Sequence, residues 1–182
     1  MVDTGPDFRE QMISARGRNI DAGIYTHSHA DHVHGIDDLR GFALSQRRRI
    51  PIHADPETMA RIRAGFGYCL ETPAGSDYPP ITTPILINSL DEPIRVTGEG
   101  GTIEVQPLDQ VHGSIHSLGF RIGNLAYCCD VSDFPRSTVA KLNDLDVLII
   151  DALRYRHHPT HLTVEQALEQ IAQIKPRRAS LT

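Results

Sequence analysis

The sequence predicts an α+β fold in which β-sheets pack between helices. Helical and strand patterns alternate along the chain, but its middle is a run of β-hairpins, with turns marked by Gly100-Gly101 and Gly123-Asn124. That mixture suits sheets covered by helices better than a doubly wound parallel sheet. The 182 residues are enough for one domain, residues 1–182, with a real core.

Taken in order, Met1-Val2-Asp3-Thr4-Gly5 reads as the end of a strand whose beginning is missing. Pro6-Asp7 opens a helix with Phe8, Gln11, Met12 and Ala15 near one face, and Gly17 ends it. A short strand is expected over 20–26, a helix over 33–44 with Val33, Ile36, Leu39, Ala43 and Leu44 as its apolar stripe, a strand over 50–53 and a helix over 56–66. Residues 67–84 are rich in Pro, Thr and Gly without period, and read as a surface insertion or lid. Strands follow over 85–88, 94–97, 102–108, 117–122 and 125–130, then a helix over 135–142 and a buried strand over 146–151. Thr163 opens the last helix, Pro176 stops it, and Ala179 to Thr182 reads as a strand just beginning. Both ends therefore read as cut.

Composition narrows the function. The net charge is −5 with His neutral, and the one basic run, Arg47-Arg48-Arg49, is short and suits a solvated helix end. This argues against a general nucleic-acid binder, and the absence of a long basic arm argues against gripping structured RNA. Cys69, Cys128 and Cys129 form no C-x-x-C pair. The adjacent Cys128 and Cys129 point to opposite faces of a strand and read as core residues. No apolar run approaches the ~20 residues of a membrane span, and no signal peptide is visible at the start. A soluble, cytoplasmic protein is expected.

The chemistry gathers in Tyr25 to His34, Y-T-H-S-H-A-D-H-V-H. His and Asp ligate divalent transition metals. The spacing H-x-H-x-D-H aims His27 and His29 at one point and lets Asp31 and His32 turn toward a second, which suits two metals a few ångströms apart. The plain alternative is a solvated His-rich loop, disfavoured because the motif follows an apolar segment and opens a helix. Four further residues fall at element ends: His112 and His116 after the strand over 102–108, Asp130 after L-A-Y-C-C, and His161 before the last helix.

These residues resemble the signature of the metallo-β-lactamase fold superfamily, whose order they also follow: an Asp-Thr-Gly strand end at Asp3, the cluster T-H-S-H-A-D-H, a lone His at 112 and a strand-end Asp at 130. The segments V-D-T-G-P-D-F-R-E-Q, H-A-D-H-V-H-G-I-D-D-L-R and D-A-L-R-Y-R-H-H-P-T-H-L-T look most like its phosphodiesterase branch, similar to the phosphonate-pathway enzyme that opens phosphoribosyl cyclic phosphate. The tRNA 3′-processing endonucleases are more distant relatives. The resemblance implies a four-layer αββα sandwich, here lacking its first strands and its C-terminal end. It also implies two divalent ions, Zn or Mn, at one edge of the sheets. His27, His29 and His112 would hold the first ion, Asp31 and His32 the second, and Asp130 both. Asp3 would orient a ligand His, and His161 would protonate the leaving oxygen. One departure stands out. The superfamily has a further His ligand after a late strand, and no remaining His has that context, so the second site is expected to be incomplete as written, and empty or weakly occupied.

Metal coordination lowers the pKa of water from about 15.7 to near 7, making hydroxide available at neutral pH. Catalysis is thus expected to rest on His161 and Asp31, with His158, Arg154 and His161 reaching substrate phosphate. Asp151 ends a buried strand near Asp130 and is expected to support the site, with Arg154 as one candidate partner. His34 is expected to cap or pack, His53 to be structural, His116 to face solvent, and Asp37, Asp38 and Arg40 to form surface pairs. The leading function is a phosphodiesterase for small cyclic or nucleotide-like phosphate diesters. A thioester or lactam hydrolase of the same fold and a non-catalytic metal- or nucleotide-binding module are the alternatives. The partner is a small molecule, with a homodimer as a possible assembly.

Overall fold

The structure is a computed structural model describing residues 1–182. The chain divides into two units, Met1–Asn88 and Ser89–Thr182, each with its own hydrophobic core.

The first unit contains α1 (Phe8–Ser14), β1 (Gly23–Ile24), α2 (Ala30–Val33), a 3₁₀ turn (Ile36–Asp38), α3 (Leu39–Gln46), β2 (Ile50–Ala54), α4 (Pro56–Leu70) and β3 (Thr82–Leu86). Its three strands are parallel, in order β1-β2-β3, with Ile24 opposite His53 and Ile52 opposite Pro84. Tyr25, Ile36, Leu39, Ile50, Ile52 and Ile62 are fully buried at its centre. Asp55 caps α4 by accepting from the backbone N–H groups of Glu57 and Thr58 at 2.9 and 3.0 Å. Such a cap stabilises by about 1 kcal/mol, and Pro56 fits the first turn because no intrahelical partner awaits its missing N–H.

The second unit contains β4 (Ile94–Gly98), β5 (Gly101–His112), β6 (Ile115–Ile122), β7 (Leu125–Cys128), α5 (Arg136–Lys141), β8 (Val147–Ile150), α6 (Val164–Ile174) and β9 (Arg178–Leu181). They form one six-stranded sheet in sequence order, antiparallel from β4 to β7 and parallel from β7 to β9. Leu108, Ala126, Cys128, Leu148, Ile150 and Ala167 anchor its core. Thr163 and Gln166 form a reciprocal capping box at the start of α6.

Several element boundaries differ from expectation. The strand over 20–26 contracts to Gly23–Ile24, with Val2 bridging Ile24. The helix over 33–44 is broken at Gly35, because the chain there runs against the Thr4-Gly5 segment. The Gly35 N–H donates to the Thr4 carbonyl at 2.8 Å, and a Cβ on Gly35 would sit 2.1 Å from the Gly5 carbonyl oxygen. Helix α4 runs on to Leu70 past non-helical backbone at Phe66. Residues 67–70 are therefore helical, 82–84 lie in β3, and Cys69, Leu70 and Ile81 are buried, so the patternless stretch narrows to 71–81. Strand β5 extends to His112, which ends the strand rather than following a loop.

Candidate metal centre

In the first unit, β1 leads through Tyr25 and Thr26 into His27, and His29 is the extended residue before α2. Asp3 holds this segment from below. Its Oδ1 accepts from the Thr26 backbone N–H and its Oδ2 from the Thr26 hydroxyl, both at 2.8 Å. The same Oδ2 accepts from His32 Nδ1 at 2.8 Å. A carboxylate only accepts, so Nδ1 of His32 carries the hydrogen and Nε2 carries the lone pair. The Thr26 hydroxyl, whose hydrogen is donated to Asp3, accepts from His27 Nδ1 at 3.0 Å, which leaves the His27 lone pair on Nε2 as well. Asp3 does this with a left-handed backbone, φ 54°, a conformation that costs energy in a non-glycine residue and gathers at functional sites.

The imidazoles then crowd together. The His27 ring lies 4.5 Å from that of His29 and 4.3 Å from that of His32. Asp31 Oδ2 is 3.5 Å from His32 Nε2. Donor atoms at about 2.0–2.2 Å from one ion can stand that far apart, so the pair fits a divalent cation. Asp3, His27, His29, Asp31 and His32 thus lie together in the first unit.

In the second unit, β5 ends on His112 and turns at once through Gly113, whose φ of 65° and close approach to Thr160 both require glycine. His112 Nδ1 donates to the Thr160 carbonyl at 2.7 Å, leaving the lone pair on Nε2, 3.8 Å from Asp130 Oδ2. Asp130 follows β7 with φ 45°, again left-handed. His161 Nε2 is 4.0 Å from the same Asp130 oxygen, and His161 Nδ1 is 2.9 Å from Asp151 Oδ2. Asp151 is 4% exposed. Its Oδ2 also accepts from the backbone N–H groups of Val131 and Leu162 at 3.2 and 3.3 Å. Burial pushes its carboxyl pKa up, while His161 and the Val131 N–H pull against that. The His112 and Asp130 donors again span a distance that one ion can bridge.

The His158 ring lies 5.0 Å from that of His161, tilted by 58°, and accepts from Thr160 through Nδ1. Desolvation, then Arg154 and His161, lower its pKa. Arg154, one candidate partner of Asp151, donates instead to the carbonyls of Arg156 and His157; His161 takes the place beside Asp151. His34 ends α2 against Phe66, His53 is buried in β2, and His116 pairs with Asp109 in solvent. Asp37 pairs with Arg40, but Asp38 pairs with Arg9 of α1. Cys128 and Cys129 are buried thiols, and burial pushes Cys128 up to about 12. Thr26 and Thr160 carry no signal in the sequence: a lone hydroxyl is commonplace, and Thr160 acts through its backbone carbonyl, which no residue type announces.

A family model described as a beta-lactamase superfamily domain matches residues 1–182. A solved structure described as a new diphosphatase from the PhnP family is 32% identical, with a TM-score of 0.85 over 100% of this chain and 67% of that one. Human tRNase Z, short form, is 22% identical with a TM-score of 0.71 over 100% of this chain and 79% of that one, a likeness of fold. A curated relative from Porphyromonas gingivalis (strain ATCC BAA-308 / W83), named octanoyltransferase, is 35% identical over 178 residues, 96% of this chain. The chain spans about a third of that relative, 34% of its length. Matched along its whole length and superposing on a PhnP-family enzyme, the chain belongs to the beta-lactamase superfamily and takes the metallo-β-lactamase fold.

Proposed function

We propose that this chain is a metal-dependent phosphodiesterase acting on small cyclic or nucleotide-like phosphate diesters. The observation that carries the reading is the Asp151–His161 pair, with His161 Nε2 turned toward Asp130. The 32% identical relative described as a diphosphatase supports it, being named for a phosphorus-centred reaction. The name octanoyltransferase belongs to a protein about three times as long, of which this chain matches 34%.

In this reading residues 1–182 act as one domain. By the family resemblance, His27, His29 and His112 are the residues that would hold one divalent ion, Asp31 and His32 those that would hold a second, and Asp130 would serve both. The ligand assignment rests on the family order together with the Nε2 lone pairs and donor spacings within each unit. Bound Zn²⁺ or Mn²⁺ would supply Lewis acidity and acidify water. Asp31 and Asp130 add hard oxygen donors, which admit Mn²⁺ as readily as Zn²⁺. Asp3 and the Thr160 carbonyl fix the tautomers of His32 and His112. His161 delivers a proton from Nε2 to the departing alkoxide, and Asp151 holds the ring through Nδ1 and stabilises its protonated form. His158 lies beside this proton donor, and His158 and Arg154 would contact the substrate phosphate. The partner is a small molecule rather than structured RNA.

The test is hydrolysis of an activated bis-aryl phosphate with added Mn²⁺. His27→Ala and Asp130→Ala should each abolish metal-dependent turnover. Full activity in either variant would sink the assignment.

A further inference from the structure

Strand β7 stops pairing at Cys128, and the chain turns through Cys129 into the left-handed Asp130. Two carbonyls leave the sheet ladder at this turn, and buried carbonyls need donors from elsewhere. Gln110 and Ser117 supply them. They face one another across the β5–β6 ladder and are 0% and 1% exposed. Gln110 Nε2 donates to the Cys129 carbonyl at 2.8 Å and to Ser117 Oγ at 3.1 Å. Ser117 Oγ in turn donates to the Asp130 carbonyl at 2.8 Å. The relay pins the backbone on both sides of the Asp130 Cα.

The orientation of the Gln110 amide is fixed by this chemistry, because a carbonyl can only accept and so must face the NH₂ group. Its Oε1 is then buried with no hydrogen-bond partner, turned toward Gly119. A Cβ at position 119 would lie 2.4 Å from that oxygen, so glycine makes the room. An unsatisfied buried acceptor in a native core calls for a reason. The carbonyls at the Asp130 turn provide one.

We propose that Gln110 and Ser117, with Gly119 making space for them, are positioning residues. They hold Asp130 in the backbone conformation that brings its Oδ2 within 3.8 Å of His112 Nε2 and 4.0 Å of His161 Nε2. The inference rests on the proposed function only in taking Asp130 as a metal ligand.

The test measures Mn²⁺ affinity by competition with a chelating dye, alongside thermal unfolding of the metal-free protein, for wild type, Ser117→Ala, Gln110→Met, Ser117→Thr and Asp130→Ala. Ser117→Ala and Gln110→Met should each weaken Mn²⁺ binding by about 10–100-fold, while Ser117→Thr, which keeps the hydroxyl, restores it. Wild-type affinity in Ser117→Ala and Gln110→Met, or a lowered unfolding temperature with affinity intact, would overturn the proposal. So would a Ser117→Thr protein as weak as Ser117→Ala. Should Gln110→Met fail to fold, Ser117→Ala decides alone. The Asp130→Ala protein separates the two levels. Wild-type affinity there removes Asp130 from the ligand set, and both readings fall. Weak binding there, with Ser117→Ala unchanged, overturns the positioning role alone.

Discussion

His161 has one nitrogen committed to Asp151 and the other facing Asp130, so its contribution should scale with how much protonation the leaving group needs. His161→Ala is expected to lower kcat for an alkyl phosphodiester by ~10²–10⁴-fold. An aryl ester, whose phenolate leaves unaided, should lose much less. Equal losses on both substrates in steady-state assays would assign His161 another role. Asp151→Ala should cost stability as well as rate, because the N–H groups of Val131 and Leu162 lose their acceptor. Urea denaturation should read a loss of about 1–3 kcal/mol. The charge-bearing residues were legible in the sequence, because His and Asp in H-x-H-x-D-H declare their chemistry by type. Thr26, Gln110 and the Thr160 carbonyl were not, since hydroxyls, amides and carbonyls are common everywhere and gain meaning only from where the backbone puts them.

The elements were legible where local pattern and tertiary context agree. The hairpins of β4 to β7 follow alternation and glycine turns, and α6 follows its Thr163 capping box. The stretch after His32 was not, because the break at Gly35 comes from a distant segment pressing against it. Gly35→Ala should therefore destabilise by about 1–3 kcal/mol or more through overpacking, although alanine is the better helix former. Its unfolding midpoint in urea checks this. Strand β2 carries a pH dependence of its own. Burial lowers the pKa of His53 below its ordinary 6.5, so the fold keeps it neutral while the unfolded chain takes up the proton first. That contribution is fully present above pH 6.5 and is lost as pH falls through the lowered value. Chemical denaturation from pH 8 to 5 should show this loss in wild type, and His53→Gln should flatten it.

The whole molecule was legible as a family before it was legible as a structure. The order Asp3, the His cluster, His112, Asp130 resembles the superfamily plan, and the match over 1–182 bears out the family. The division at Asn88 into two units, each with its own core, left no mark in composition. Metal that binds the folded chain and not the unfolded one should stabilise it. Mn²⁺ at 100 times its Kd should add about 2.7 kcal/mol, read as a raised melting temperature that EDTA reverses. The measurement that bears most directly on the central claim is a side-by-side assay of a phosphodiester, a thioester and a lactam with Mn²⁺, for wild type and His161→Ala. The account predicts that the phosphodiester is turned over fastest and that His161→Ala suppresses the alkyl phosphodiester selectively. Faster turnover of the thioester or lactam, unaffected by His161→Ala, would contradict it.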